Sequence, residues 1–159
     1  MSFSALNNFL HLLAAASWIG GIIYTILVLA PSQTAIDPSQ RGKLFGAVVK
    51  RFTILVWISV IILLLTGIYK ITSLSLSLFN PSLKFDFWLS IKLSVVLVMI
   101  INGLILTFVI GPKMKKFNPQ PGEQPSIEFI KTQKNLNVIV LSNMILGIIV
   151  LFCVSMMLF

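Results

Sequence analysis

Charge is what this sequence has least of. Charged residues make up 10% of the chain, and only four of its 159 residues are Asp or Glu. A water-soluble domain needs charged surface to stay dissolved, and this is too little to cover a core. The acids, Asp37, Asp86, Glu123 and Glu128, all fall between apolar blocks, so no carboxylate pair lies inside a block for acid–base work. Asp86 comes nearest to the level of the lone histidine, but it lies in a connection, which leaves a Ser–His–Asp triad unassembled. Cys153 is the one cysteine. That excludes an intrachain disulfide, a Cys-x-x-Cys zinc site and covalent c-type haem. Neither G-x4-G-K-[ST] nor G-x-G-x-x-G occurs, so the familiar phosphate-cradling loops are missing too.

What is present is apolar surface. Hydrophobic residues make up 57% of the chain, mean hydropathy is +1.01, and these residues come in long blocks. A helix needs about 20 apolar residues to cross the hydrocarbon core. Four blocks qualify, at about 5–30, 52–71, 87–110 and 136–158. None has an internal proline, and Pro31, Pro81, Pro112 and Pro119 are expected at or beyond helix ends. The opening MSFSALNNFLHLL lacks a basic leader and a small-residue cleavage site, so the first block reads as a retained helix. The expectation is an all-α membrane protein: one domain over 1–159, built as an antiparallel four-transmembrane-helix bundle. No internal repeat of convincing period is visible.

The net charge of +8 does not point to nucleic acid. Arg41, Lys43, Lys50 and Arg51 crowd the first connection, and Lys113, Lys115, Lys116, Lys131 and Lys134 the third. The middle one holds Lys84, with Lys70 at the preceding helix end. Basic excess marks the cytoplasmic side. The connections 31–51 and 111–135 are therefore expected in the cytoplasm, with both termini extracytoplasmic. Leu44–Arg51 has the pattern of a short amphipathic helix leading into the second span. FNPQPGEQPS is a proline-rich loop.

Inside a bilayer each polar side chain must find a partner or cost free energy. Ser and Thr bond their own helix backbone, and Asn102 and Asn143 are explained by helix-to-helix hydrogen bonds. His11 and Lys92 stand apart. His11 lies roughly 9 Å into the first span and Lys92 roughly 8 Å into the third. Both spans enter from the outer face, so the two share one layer of the outer leaflet. Cys153, Met156 and Met157 reach about that layer from the fourth span, and Thr66, Gly67 and Tyr69 from the second. His11, Ala14, Ala15, Trp18 and Gly21 fall on one stripe, where small residues admit a close helix neighbour or a flat ligand. Each residue also has a plain reading: His11 as an interhelical hydrogen bonder, Lys92 as a cation snorkelling to the headgroups, Cys153 as an apolar filler.

HLLAAASWIGG in the first span, LLLTGIY ending the second and WLSIKLSVVLVM opening the third resemble the CopD-type membrane proteins. That superfamily includes the copper-resistance membrane protein and the HemJ-type membrane protoporphyrinogen oxidase. The resemblance covers residues 5–116. It implies haem b bound through His11, with Lys92 matching the third-helix lysine of the oxidase branch. That branch carries further histidines, and this chain has His11 alone. A haem here would be five-coordinate, or take a second ligand from Met, Lys or another subunit.

Three functions follow. One is a haem-b protein in electron transfer or tetrapyrrole oxidation, with His11, Lys92 and Trp18 as cofactor-binding residues and a quinone or redox partner. Another is copper handling, with His11, Cys153, Met156 and Met157 as soft ligands. The third is a non-catalytic small subunit of a larger membrane complex, or a homo-oligomer. The resemblance places all three in a prokaryotic plasma membrane.

Overall fold

The computed structural model describes residues 2–32, 35, 37–73, 84–119 and 123–158, and every long element among them is a helix. Helix α1 spans Phe3–Ser32 and α2 spans Pro38–Ser73. Helix α3 runs without a break through Lys84–Ile105, Leu106–Ile110 and Gly111–Lys116, and α4 spans Ile127–Leu158. Each contains a stretch long and apolar enough to cross a membrane. The chain is an all-α integral membrane protein, as its composition required. Phe9, Leu12, Leu65 and Phe108 are each more than half exposed, which is tolerable only where lipid tails cover them.

Local chemistry sets the helix starts. Ser2 caps α1 by accepting the Ala5 N–H at 3.3 Å. Pro38 opens α2, where its fixed φ suits the first turn. Ser126 accepts the Phe129 N–H at 3.1 Å, and Glu128 follows in the first turn of α4, where a negative charge is favoured. Helix α2 fuses the expected amphipathic segment 44–51 and the second span into one rod. Its 36 residues measure about 54 Å, well beyond the ~30 Å hydrocarbon core.

Two prolines sit differently from expectation. Helix α1 continues to Ser32 and α3 to Lys116, so Pro31 and Pro112 lie inside continuous helices. A proline ring clashes with the carbonyl four residues earlier. Here those carbonyls belong to Leu27 and Phe108, and each falls within a π-helical turn, Thr25–Leu29 in α1 and Leu106–Ile110 in α3. The wider turn re-pairs the backbone, with Ala30 N–H bonding Thr25 O and Gly111 N–H bonding Leu106 O. Pro81 lies outside the described residues, and Pro119 follows the end of α3.

The helices pack as two antiparallel hairpins, α1 with α2 and α3 with α4, joined chiefly by α1 against α4. The core at the join holds Trp18, Ile19 and Ile22 of α1, Val60 of α2, Met99 of α3 and Val150 of α4. Gly147 permits the approach of α1 to α4, since a Cβ there would stand 3.2 Å from an Ile19 methyl. Two side-chain hydrogen bonds cross between helices at lower levels. Asn102 Nδ2 donates to Asn143 Oδ1 at 2.9 Å, and Trp57 Nε1 donates to Thr107 Oγ1 at 3.2 Å.

Candidate functional site

At the end of the bundle where α1 begins and α2 ends, the sole histidine bonds the neighbouring helix. His11 Nδ1 lies 2.7 Å from Thr66 Oγ1. Thr66 itself is buried, and its hydroxyl sits 2.6 Å from Ile62 O, the carbonyl one turn back along α2. A hydroxyl has one proton, and that carbonyl can only accept, so the Thr66 proton goes to Ile62 O. The lone pair of Thr66 Oγ1 then receives the proton of His11 Nδ1. In a neutral imidazole this pairing corresponds to the Nδ1–H tautomer, with Nε2 as the donor nitrogen.

The surroundings hold that ring in place. Buried Asn7, one turn before His11, donates through Nδ2 to Thr66 O at 3.3 Å, so the two turns of α1 and α2 are doubly tied. Gly67 lies beside the ring edge, where even a Cβ would make only ordinary van der Waals contact with His11 Cε1, at 3.8 Å. Phe3 and Tyr69 close the end of this hairpin with an edge-to-face contact, their centroids 5.0 Å apart.

Three basic groups share the site. Lys92 of α3 and Lys70 of α2 both act electrostatically on His11. Lys92 is half-buried, and its electrostatic neighbours are Lys70 and Cys153. Cys153 of α4 is fully buried at 0% exposure. Met156 and Met157 follow it, half-buried, in the last turns of α4. Lys92 thus lies within electrostatic range of both His11 and Cys153.

Trp18 lies elsewhere, at 4% exposure in the core cluster two turns below His11. There it shares the core with Ile19, Ile22, Val60, Met99 and Val150, a packing position. The small-residue stripe also serves packing. Ala14 is buried, and the notch at Gly21 is filled by the Phe52 ring. A groove lined by Val138, Leu141, Ser142, Ile145 and Leu146 runs along α4 below the level of Cys153, away from the histidine.

Among the described residues no three or more His, Cys, Asp or Glu side chains gather into a metal cage. The arrangement therefore offers one strong nitrogen donor, oriented from behind, with ammonium groups near it. Sequence reading missed Thr66 as the orienting partner, Asn7 as the second tie and Lys70 as a member of the cluster. One signal was available. Thr66 and Lys70 are four apart on α2, as Asn7 and His11 are on α1, so each pair shares a helix face.

The chain matches the family described as Copper resistance protein D over residues 46–157. The match takes in most of α2, all of α3 and all of α4 but its last residue, including Lys70, Lys92 and Cys153, and leaves out α1 with His11. It therefore extends past the 5–116 range of the sequence resemblance at one end and stops short of it at the other. No curated protein and no solved structure matches the chain.

Proposed function

The chain belongs to the copper resistance protein D family, and on that premise we propose that it is a haem-b-binding membrane protein in which His11 Nε2 would hold the haem iron. Its role is electron transfer or tetrapyrrole oxidation, coupled to a quinone or another redox partner in a prokaryotic plasma membrane. One observation carries this reading: His11 Nδ1 stands 2.7 Å from the Thr66 hydroxyl, a contact that would hold the ring with Nε2 as its donor nitrogen. Metal-ligating histidines are commonly fixed in this way by a hydrogen bond to the other nitrogen. The group would supply one-electron redox chemistry. The chain's own residues orient the donor nitrogen and place positive charge where acidic substituents would lie.

Orientation follows from charge. Lys50, Arg51, Lys113, Lys115, Lys116, Lys131 and Lys134 are exposed at the end opposite His11, a basic excess that supports reading that end, with connections 31–51 and 111–135, as cytoplasmic. The histidine layer then lies in the outer leaflet.

Copper handling is the second reading. The family description favours it, and Cys153 adds a soft donor at the same end, with Met156 and Met157 beyond it. Electrostatics weighs against a bare cation, because two ammonium groups already act on His11 and a third positive charge would be repelled. An absorption spectrum of detergent-purified protein, oxidised and dithionite-reduced, with metal analysis of the same sample, separates the two. The haem reading expects a b-type spectrum near one haem per chain, lost in His11→Ala. Stoichiometric copper without haem would install the copper reading. Neither cofactor, with larger partners co-purifying, would make the chain a structural subunit of a complex.

A further inference from the structure

Two polar groups buried in the first hairpin have no partner in the protein. Asn7, Thr66, Thr132 and Asn143 are buried and hydrogen-bonded, and buried Asp86 has an interaction of its own. Ser59 of α2 is only 3% exposed, yet among the described residues its hydroxyl bonds nothing. It does not even take the carbonyl one turn back, as Thr53 and Thr66 of the same helix do. Trp18 of α1 is 4% exposed, and its indole N–H likewise has no acceptor among them. An unpaired polar group inside a membrane protein costs free energy until something satisfies it.

Trp18 and Ser59 belong to one level of the hairpin. Asn7 and His11 both bond Thr66, which sets α1 against α2. In an antiparallel pair, a step forward on α1 answers to a step back on α2. Seven residues make about two turns and return to the same helix face. Taken from His11 and Thr66, that step arrives at Trp18 and Ser59. Val60, next to Ser59, shares the core cluster with Trp18. Both residues also stand at the middle of their spans, Phe3–Ser32 and Gly46–Thr72, out of reach of water at the headgroups. One turn beyond Trp18, the Phe52 ring fills the notch at Gly21 and closes the hairpin on the side away from His11. Among the described residues no side-chain nitrogen or oxygen is both sealed and unpaired. The Ser59 oxygen and the Trp18 nitrogen therefore each border space that a water molecule can touch.

We propose that Trp18 and Ser59 hold an internal water molecule between α1 and α2, two turns inside the bundle from His11. The indole N–H donates to it, and the Ser59 hydroxyl, which can donate or accept, supplies a second bond. Two polar partners meet the least that a buried water requires. The site gives the first hairpin a proton-carrying group at mid-membrane, and it gives Trp18 a polar role beside its packing one.

The test uses the full-length, cofactor-free protein in lipid bilayers, labelled with ¹⁵N-tryptophan, and reads magnetisation passed from water protons to the three indole nitrogens. Trp57→Phe and Trp88→Phe assign their own signals and leave that of Trp18. Wild type should show transfer from water to the Trp18 nitrogen. Ser59→Val and Ser59→Thr match in shape and differ in the hydroxyl, so a fault of packing is common to both. Transfer to Trp18 should be lost with valine and kept with threonine, while the Trp57 signal, whose N–H is held by Thr107, stays the same in both. Absence of transfer to Trp18 in wild type would overturn the site, and so would equal transfer in the two variants. Because the sample carries no cofactor, this site and the haem reading fail separately.

Discussion

The two hairpins are built alike and furnished differently. The first helix of each carries, near its end, a five-residue π-turn with a proline two residues beyond it, Pro31 in α1 and Pro112 in α3. Counted back from those prolines, His11 and Lys92 occupy the same position, and so do Trp18 and Met99, which meet in one core. The second helix of each hairpin supplies a buried residue near that level, Thr66 bonded to His11 and Cys153 within electrostatic range of Lys92. The first hairpin therefore carries an imidazole bonded to its neighbour, and the second carries an ammonium and a thiol. The likeness fixes depth and facing, and the difference in side chains assigns the chemistry. Only the first hairpin presents a nitrogen lone pair.

That contrast can be broken at its strongest point first. Thr66→Val keeps the shape of the side chain and removes the acceptor that holds Nδ1–H. Cofactor affinity should fall about 10- to 100-fold, the usual cost of losing such an outer partner, when measured by titrating the stripped protein. An unchanged affinity would mean that Thr66 does not orient the ring. Gly147→Leu drives a side chain into Ile19 where the hairpins join, and should cost about 1–3 kcal/mol in a detergent-denaturation assay. A neutral result would show that the α1–α4 approach is looser than drawn. Asn102→Leu cuts the bond between α3 and α4 without touching the first hairpin, and about 1 kcal/mol of stability should go with cofactor content unchanged. Cys153→Ala should do least, under ~1 kcal/mol in stability and nothing to a haem content. If metal leaves with the thiol, the second hairpin is a ligand-bearing half and the copper reading takes over.

Much of this was legible in the sequence because the bilayer imposes a blunt rule. Backbone polar groups must be satisfied within each span, so long apolar blocks can only be helices. His11 and Lys92 draw notice for the same reason, since rare polar residues stand out against apolar spans. The likeness of the hairpins was not. It lives in the spacing to a proline and in turn geometry, while the residues at matched positions, His and Lys or Trp and Met, share no chemistry. Thr66 was hidden by its commonness, because a threonine in a span ordinarily bonds only its own helix, and this one does that as well. Lys70 looked like a routine helix-end cation until α1 was placed beside it.

Because the chain has a single histidine, ¹⁵N-histidine labelling reports on His11 alone. A solid-state nitrogen spectrum of the cofactor-free protein in lipid reads directly which ring nitrogen carries the proton. The predicted result is a protonated Nδ1 and a bare Nε2, with the Nε2 signal alone displaced when the cofactor is added. A protonated Nε2 with a bare Nδ1 would mean that Thr66 donates to the ring, that no donor nitrogen is presented, and that His11 is a structural hydrogen bonder.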